Sequence, residues 1–293
     1  MRLIIQPESD ILPVVQAVRR ARVHVEVAIF RLDEQAILRA LTAAAQRGVH
    51  VRALIAHTNG GGKRGLRETE QLLLGGGVTV ARTAGDLLRY HGKFMVADDT
   101  LHVFGFNFTR QDIEKSRSFG IATKDQRTVK EALSLFEADS TRQVYTPSRS
   151  NLVVSPETSR EMLGKFLRGA RRQLAIYDAK IQDPAMMKIL KDRAEHGVEV
   201  RVLGSMKEPG DVNVRSFKGL RLHVRAIVRD GTRAFVGSQS LRKPEIDRRR
   251  EVGLLINNPS VTRKILQTFE SDWKASGSEE DSDVTEKASK ESA

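Results

Sequence analysis

Cysteine is absent from the 293 residues, which excludes disulfides, cysteine-bound zinc and thiol catalysis. Long apolar runs are missing too: nothing approaches the 18 or so residues of a membrane-spanning helix. The opening "MRLIIQPESD" has three apolar residues in a row before Gln6 and Pro7 break the run. It reads as neither a signal peptide nor a span, so a cytoplasmic protein is expected. Aromatic residues make up only 5%, which leaves few stacking platforms for single-stranded nucleic acid.

Positive charge is present in excess. The net charge is +12, and residues 276–293 work against it with six acids and two lysines, so the rest carries +16. This tail has almost nothing to bury and is expected to be disordered. A body so basic suits polyanions: nucleic acid, an anionic membrane surface or a phosphorylated substrate. General solubility is the plainer use of the same charge.

The chain also repeats itself. Residues 11–55 and 160–204 align without a gap, and Arg19, Ala21, Arg22, Gly48, Val49, Val51 and Arg52 recur as Arg168, Ala170, Arg171, Gly197, Val198, Val200 and Arg201. Each copy reads as helix, strand (Val23–Phe30; Leu174–Ala179), helix and strand, with Gly48 and Gly197 where a helix end favours positive φ. Strands alternating with amphipathic helices imply βαβ units. "YHGKFMVADDTLHVFGFN" (90–107) then meets "LHVRAIVRDGTRAFVGSQ" (222–239), and "LFEADSTRQ" meets "TFESDWKAS", so each half ends in a similar helix. The first copy carries a longer excursion at 57–77, with a glycine-rich polar loop at 57–65, and the Pro- and Ser-containing stretch 141–155 serves as linker. The expected fold is α/β, with a first half at 1–148, a second at 149–275 and the tail at 276–293. The halves are related by a pseudo-twofold axis.

Each half holds His, one residue, a basic residue, four more residues and Asp: His91, Lys93 and Asp98, then His223, Arg225 and Asp230. Residues two apart on a strand face the same way, so each histidine and its cation would point together. A glycine and an amide follow: Gly105 with Asn107, Gly237 with Gln239. Two histidines meeting across a pseudo-dyad suit phosphoryl transfer. Lys93 and Arg225 would neutralise the phosphodiester oxygens, and Asn107 and Gln239 would donate hydrogen bonds to them. One histidine would attack phosphorus while the other protonates the leaving oxygen. The cations come from side chains, so neither metal nor cofactor is expected. An acid held against each imidazole would fix its tautomer, and Asp98 and Asp230 are the candidates. In "ADDT" and "RDGT" the same aspartates also fit the opening of a turn.

This doubled pattern resembles the phospholipase D superfamily over residues from about 10 to 275. The resemblance implies two phospholipase D-like α/β/α sandwich halves in one chain, with a metal-independent phosphohistidine site at their interface. His91, Lys93, Asp98 and Asn107 match the family motif. Arg225 stands where the family has lysine, and Gln239 where it usually has asparagine. Of the family's downstream Asn-x-Glu the second half keeps Glu251 but has Arg249 for Asn, and the first half, with "SRSFGI", keeps neither. His91 is the expected nucleophile and His223 the acid/base. The leading expectation is cleavage or transfer of a phosphatidyl group, by a monomer with possible peripheral contact with anionic membrane. A nuclease and a non-catalytic phosphate- or nucleic-acid-binding protein are the alternatives.

Overall fold

The computed structural model describes residues 1–57, 62–83 and 87–277, with no side-chain detail at 62–64. The first half runs β1 (Arg2–Gln6), α1 (Leu12–Arg20), β2 (His24–Ile29), α2 (Gln35–Gln46), β3 (His50–Ile55), α3 (Gly62–Gly75), β4 (Thr79–Arg82), β5 (Arg89–Tyr90), β6 (Phe94–Ala97), β7 (Thr100–Phe104), α4 (Arg110–Glu114), β8 (Ser116–Thr123) and α5 (Gln126–Thr141). The second continues with β9 (Leu152–Ser155), α6 (Ser159–Arg168), β10 (Gln173–Ile181), α7 (Pro184–Glu195), β11 (Glu199–Met206), β12 (Asn213–Arg215), β13 (Arg221–Leu222), β14 (Arg225–Arg229), β15 (Arg233–Gly237), α8 (Lys243–Asp247), β16 (Arg249–Ile256) and α9 (Pro259–Ala275).

The two sheets share one topology. The first has the order β1-β8-β7-β6-β2-β3-β4, and the second repeats it as β9-β16-β15-β14-β10-β11-β12. Strand alternation decides which side chains face which helices. Val25, Val27 and Ile29 of β2 pack in one cluster with α1 and α2, whereas Ala28 faces a second cluster with α5. A third cluster gathers the α6 and α7 residues. The cluster with α5 also takes in the inner sheet face and α9 of the second half, so one apolar core runs through both halves. Gly48 (φ 86°) and Gly197 (φ 80°) close α2 and α7 in the conformation their sequence positions suggested.

Two arginines, 133 residues apart, fasten the halves together. Arg117 on β8 reaches Asp272 on α9 through Nε (2.8 Å) and Nη2 (3.1 Å), and its Nη1 donates to the Gln6 carbonyl (2.9 Å) and to Glu8. Arg250 on β16 repeats this in reverse, with Asp139 on α5 (3.0 Å), the Ser155 carbonyl (2.9 Å) and Glu157. The first half thus holds the second, and the second holds the first.

Three expectations are modified. The 57–65 stretch is not all loop: α3 begins at Gly62, burying Leu66 and Leu73 and tying Glu70 to Arg82 of β4 at 2.6 Å, while residues 58–61 lie outside the described part. The tail from 278 also lies outside it, whereas Ser276 is buried and donates its N–H to the Asp272 carbonyl. The 141–155 linker is pinned where Tyr145 is buried and gives its hydroxyl to Glu131, which also accepts from Ser148 N–H at 2.9 Å.

Asp272→Ala leaves the Arg117 guanidinium without its buried carboxylate, with only the half-exposed Glu8 as counter-charge, and strips the Tyr177 hydroxyl of its acceptor (2.6 Å). A loss of about 3–5 kcal/mol is expected in urea unfolding. Glu8→Ala, whose side chain is 56% exposed, is expected to cost below about 1 kcal/mol in the same measurement.

Candidate active site

Two-residue strands exchanged between the halves build the site. β5 leaves its own sheet and pairs with β16, Arg89 beside Arg249 and Tyr90 beside Arg250; β13 pairs reciprocally with β8, Arg221 beside Ser116. His91 and His223 follow these strands directly, and their N–H groups donate to the carbonyls of Arg250 (2.7 Å) and Arg117 (3.4 Å). The histidines therefore stand in short connections just before β6 and β14, not within the strands that the sequence suggested. The interface tolerates no bulk here: a Cβ on Gly105 would meet Ser118 Oγ at 2.9 Å and the Gly237 carbonyl at 3.4 Å. This gives the Gly-x-amide pattern a packing reason.

Glu251, fully buried on β16, accepts from His91 Nδ1 at 2.9 and 3.1 Å. That bond places the imidazole proton on Nδ1 and the lone pair on Nε2. Lys93, also fully buried, donates from Nζ to His91 Nε2 (3.1 Å) and to the His91 carbonyl (2.8 Å). Burial pushes the His91 pKa down to about 4 against the opposing pull of Glu251, with Lys93 and Arg225 adding to the fall. Burial likewise brings Lys93 down to about 7, although Glu251 and Asp112 favour its cation. His91 is thus neutral near pH 7, and its lysine is poised to titrate there.

The second histidine is held differently. Its Nδ1 lies 3.2 Å from Asp112 Oδ2 on α4, at ion-pair distance but without hydrogen-bond alignment. Asp112 also accepts from the Asn107 N–H (2.9 Å), Asn107 Nδ2 (2.8 Å) and Arg221 Nη1 (2.5 Å). Burial lowers the His223 pKa well below its ordinary value, against the attraction of Asp112. Burial opposes the Asp112 anion, but His223, Asn107 and Arg221 together hold its pKa below the usual range. Lys93 and Arg225 each depress both histidines, so the four groups share one electrostatic site. The histidine side chains keep 17% and 11% of their surface, so both rings remain partly accessible. Arg225 has no ion pair among the described residues, and its Nε is buried without a partner. No group of three or more His, Asp and Glu among the described residues is arranged to hold a metal ion.

The structure redirects four of the expected site residues. Asp98 accepts the backbone N–H groups of Arg22 (2.9 Å), Val23 (2.9 Å) and His24 (3.1 Å), and Asp230 does the same for Arg171 (3.1 Å), Arg172 (2.8 Å) and Gln173 (3.1 Å). Both stand at positive φ in the turns after β6 and β14 and pin the start of β2 and β10. The acids at the imidazoles are Glu251 and Asp112 instead. Gln239, one methylene longer than Asn107, spends its amide nitrogen on the Val153 carbonyl (2.9 Å) and Ser159 Oγ (3.4 Å). Asn107 itself orients Asp112. Asp112 escaped the sequence reading, though one clue existed. Glu251 has Ser118 as its counterpart in the first half, so another acid near "NFTRQDIE" was needed to hold His223.

Titration of His91 followed by NMR separates these assignments. Glu251→Gln removes the anion that opposes burial, so the His91 midpoint is expected to fall below its wild-type value; Asp98→Asn is expected to leave it in place while lowering the melting temperature. An unchanged midpoint in Glu251→Gln would remove that carboxylate from the site.

Comparison with known proteins agrees with this architecture. The family described as "Cardiolipin synthase, PLD-like domain" matches residues 14–140 and 163–273, one block in each half. Among solved structures, polyphosphate kinase from Porphyromonas gingivalis superimposes with a TM-score of 0.76 at 17% identity, over 92% of this chain and 49% of that one. The chain therefore spans about half the length of that kinase. Phosphatidylserine synthase from Haemophilus influenzae Rd KW20 gives 0.72 at 13% identity, over 93% of this chain and 85% of that one. At these identities the likeness is one of fold. No curated protein matches the chain. On the strength of the two matched blocks, the chain belongs to this PLD-like domain family of the phospholipase D superfamily.

Proposed function

We propose that the chain cleaves or transfers a phosphodiester through a phosphohistidine on His91. The observation that carries this reading is the bond from His91 Nδ1 to the buried Glu251, which leaves Nε2 as an unprotonated nucleophile. Lys93 Nζ donates to that lone pair at 3.1 Å. A diester entering between the histidines offers its oxygens to Lys93 and Arg225 and frees Nε2 to attack. The P–N bond forms as the P–O bond breaks, and the leaving oxygen takes a proton from His223. The diester's negative charge and Asp112 favour that imidazolium despite burial. In the second step His223 takes the proton from a water or alcohol whose oxygen attacks phosphorus, breaking the P–N bond and restoring both histidines.

A phosphatidyl ester is the substrate suggested by the family description, with the basic body resting on anionic lipid. No helix among the described residues is long and apolar enough to cross a membrane. A second reading, a nucleic-acid backbone, draws on a specific observation. The exposed large apolar residues Met1, Leu12, Val23, Leu72, Leu74, Leu88 and Val144 are scattered along the chain, and Leu88 alone adjoins β5. Arg89 and Arg225 carry no ion pair among the described residues, so charge dominates over apolar surface beside the histidines.

Incubation with ³²P-labelled phosphatidylglycerol or a labelled oligonucleotide, each in EDTA, is expected to yield an acid-labile, base-stable adduct. It should vanish in His91→Ala and still form, though more slowly, in His223→Ala, with turnover down by about 10²–10⁴-fold in the latter. An adduct that survives His91→Ala would sink the assignment. With a soluble diester, kcat/KM is expected to fall as pH rises through about 7, where Lys93 loses its proton. Lys93→Arg should move that limb upward, and a limb that stays in place would rule out Lys93 as its source.

A further inference from the structure

The two histidines look alike in sequence, but their flanking arginines are in different electrostatic states. Arg221 and Arg89 are counterparts, each two residues before its histidine and each on an exchanged strand. Arg221 is neutralised by Asp112 at 2.5 Å. The corresponding acid in the second half, Glu245, is drawn off by Arg249 (2.8 Å) and Arg242 (3.3 Å), which stand where the first half has Ser116 and Thr109. Arg89 is therefore left exposed, with no ion pair among the described residues. Its guanidinium lies 5.0 Å over the Phe30 ring, and the Phe30 ring meets His91 edge-on at 5.0 Å. Its charge also reaches Lys93.

From this asymmetry, and resting on the phosphodiester reading above, we propose that Arg89 is a specificity-determining residue that binds a second anionic group of the substrate beside the scissile phosphate, on the His91 side. The Phe30 ring carries the guanidinium in place, so little side-chain freedom is lost on binding. On the His223 side the counterpart arginine, Arg221, is already paired with Asp112. A substrate with two neighbouring phosphates is read in one direction, its second phosphate lying past His91.

Calorimetric titration with inorganic orthophosphate and linear tripolyphosphate tests this without any turnover, so a failed phosphohistidine step leaves the result interpretable. Wild type should bind tripolyphosphate more tightly, and Arg89→Ala should reduce that preference by at least about tenfold, the worth of one charge-assisted contact, while orthophosphate binding holds. Arg89→Lys should retain part of the preference. Arg39→Ala, which removes the same charge from an exposed position on α2, should change neither ligand. No preference in wild type, an unchanged preference in Arg89→Ala, or an equal loss in Arg39→Ala would overturn the proposal.

Discussion

A carboxylate buried completely inside a protein must meet a cation or a proton donor, and Glu251 meets His91 from the other half of the chain. Asp112 reaches back across the same boundary to His223. These crossed contacts fix the site: each half supplies the carboxylate that faces the other half's histidine. The exchanged strands β5 and β13 deliver the imidazoles, and the reciprocal Arg117 and Arg250 latches keep the halves in register. Every element of the candidate chemistry depends on the closed interface.

The repeat hides a division of labour. On the His91 side the imidazole is well bonded, neutral and backed by a lysine whose proton is loosely held. On the His223 side the ring sits against a carboxylate that is already engaged by Asn107 and Arg221. Such unlike environments suit unlike tasks, one ring offering a lone pair and the other exchanging a proton. The same asymmetry leaves Arg89 uncommitted and Arg221 paired.

Much of the fold was legible because a duplicated pattern is local. Aligned segments revealed the halves, and Gly48 and Gly197 marked the helix ends. The His-x-basic pairs located the site for the same reason. The contacts of their side chains were harder to read, since they join residues far apart in the chain: Glu251 lies 160 residues from His91. Asp98 and Asp230 follow the histidines in sequence, but a four-residue strand in the first half and a five-residue one in the second carry them to the opposite sheet end, where backbone N–H groups await a carboxylate. Gln239 looks like a conservative replacement of asparagine, and only its packing beside β9 shows where the longer side chain goes. In α3, glycines at the start masked a helix whose two buried leucines, Leu66 and Leu73, are spaced seven apart.

A crystal structure with orthovanadate, which adopts the trigonal-bipyramidal geometry of a phosphoryl group in transfer, is the most direct test of the crossed two-histidine site. Vanadium should be bonded to His91 Nε2 with the His223 ring facing the opposite apex, Lys93 and Arg225 on the equatorial oxygens, and Glu251 still on His91 Nδ1. Vanadate bound away from both histidines, or His91 released from Glu251, would contradict the account.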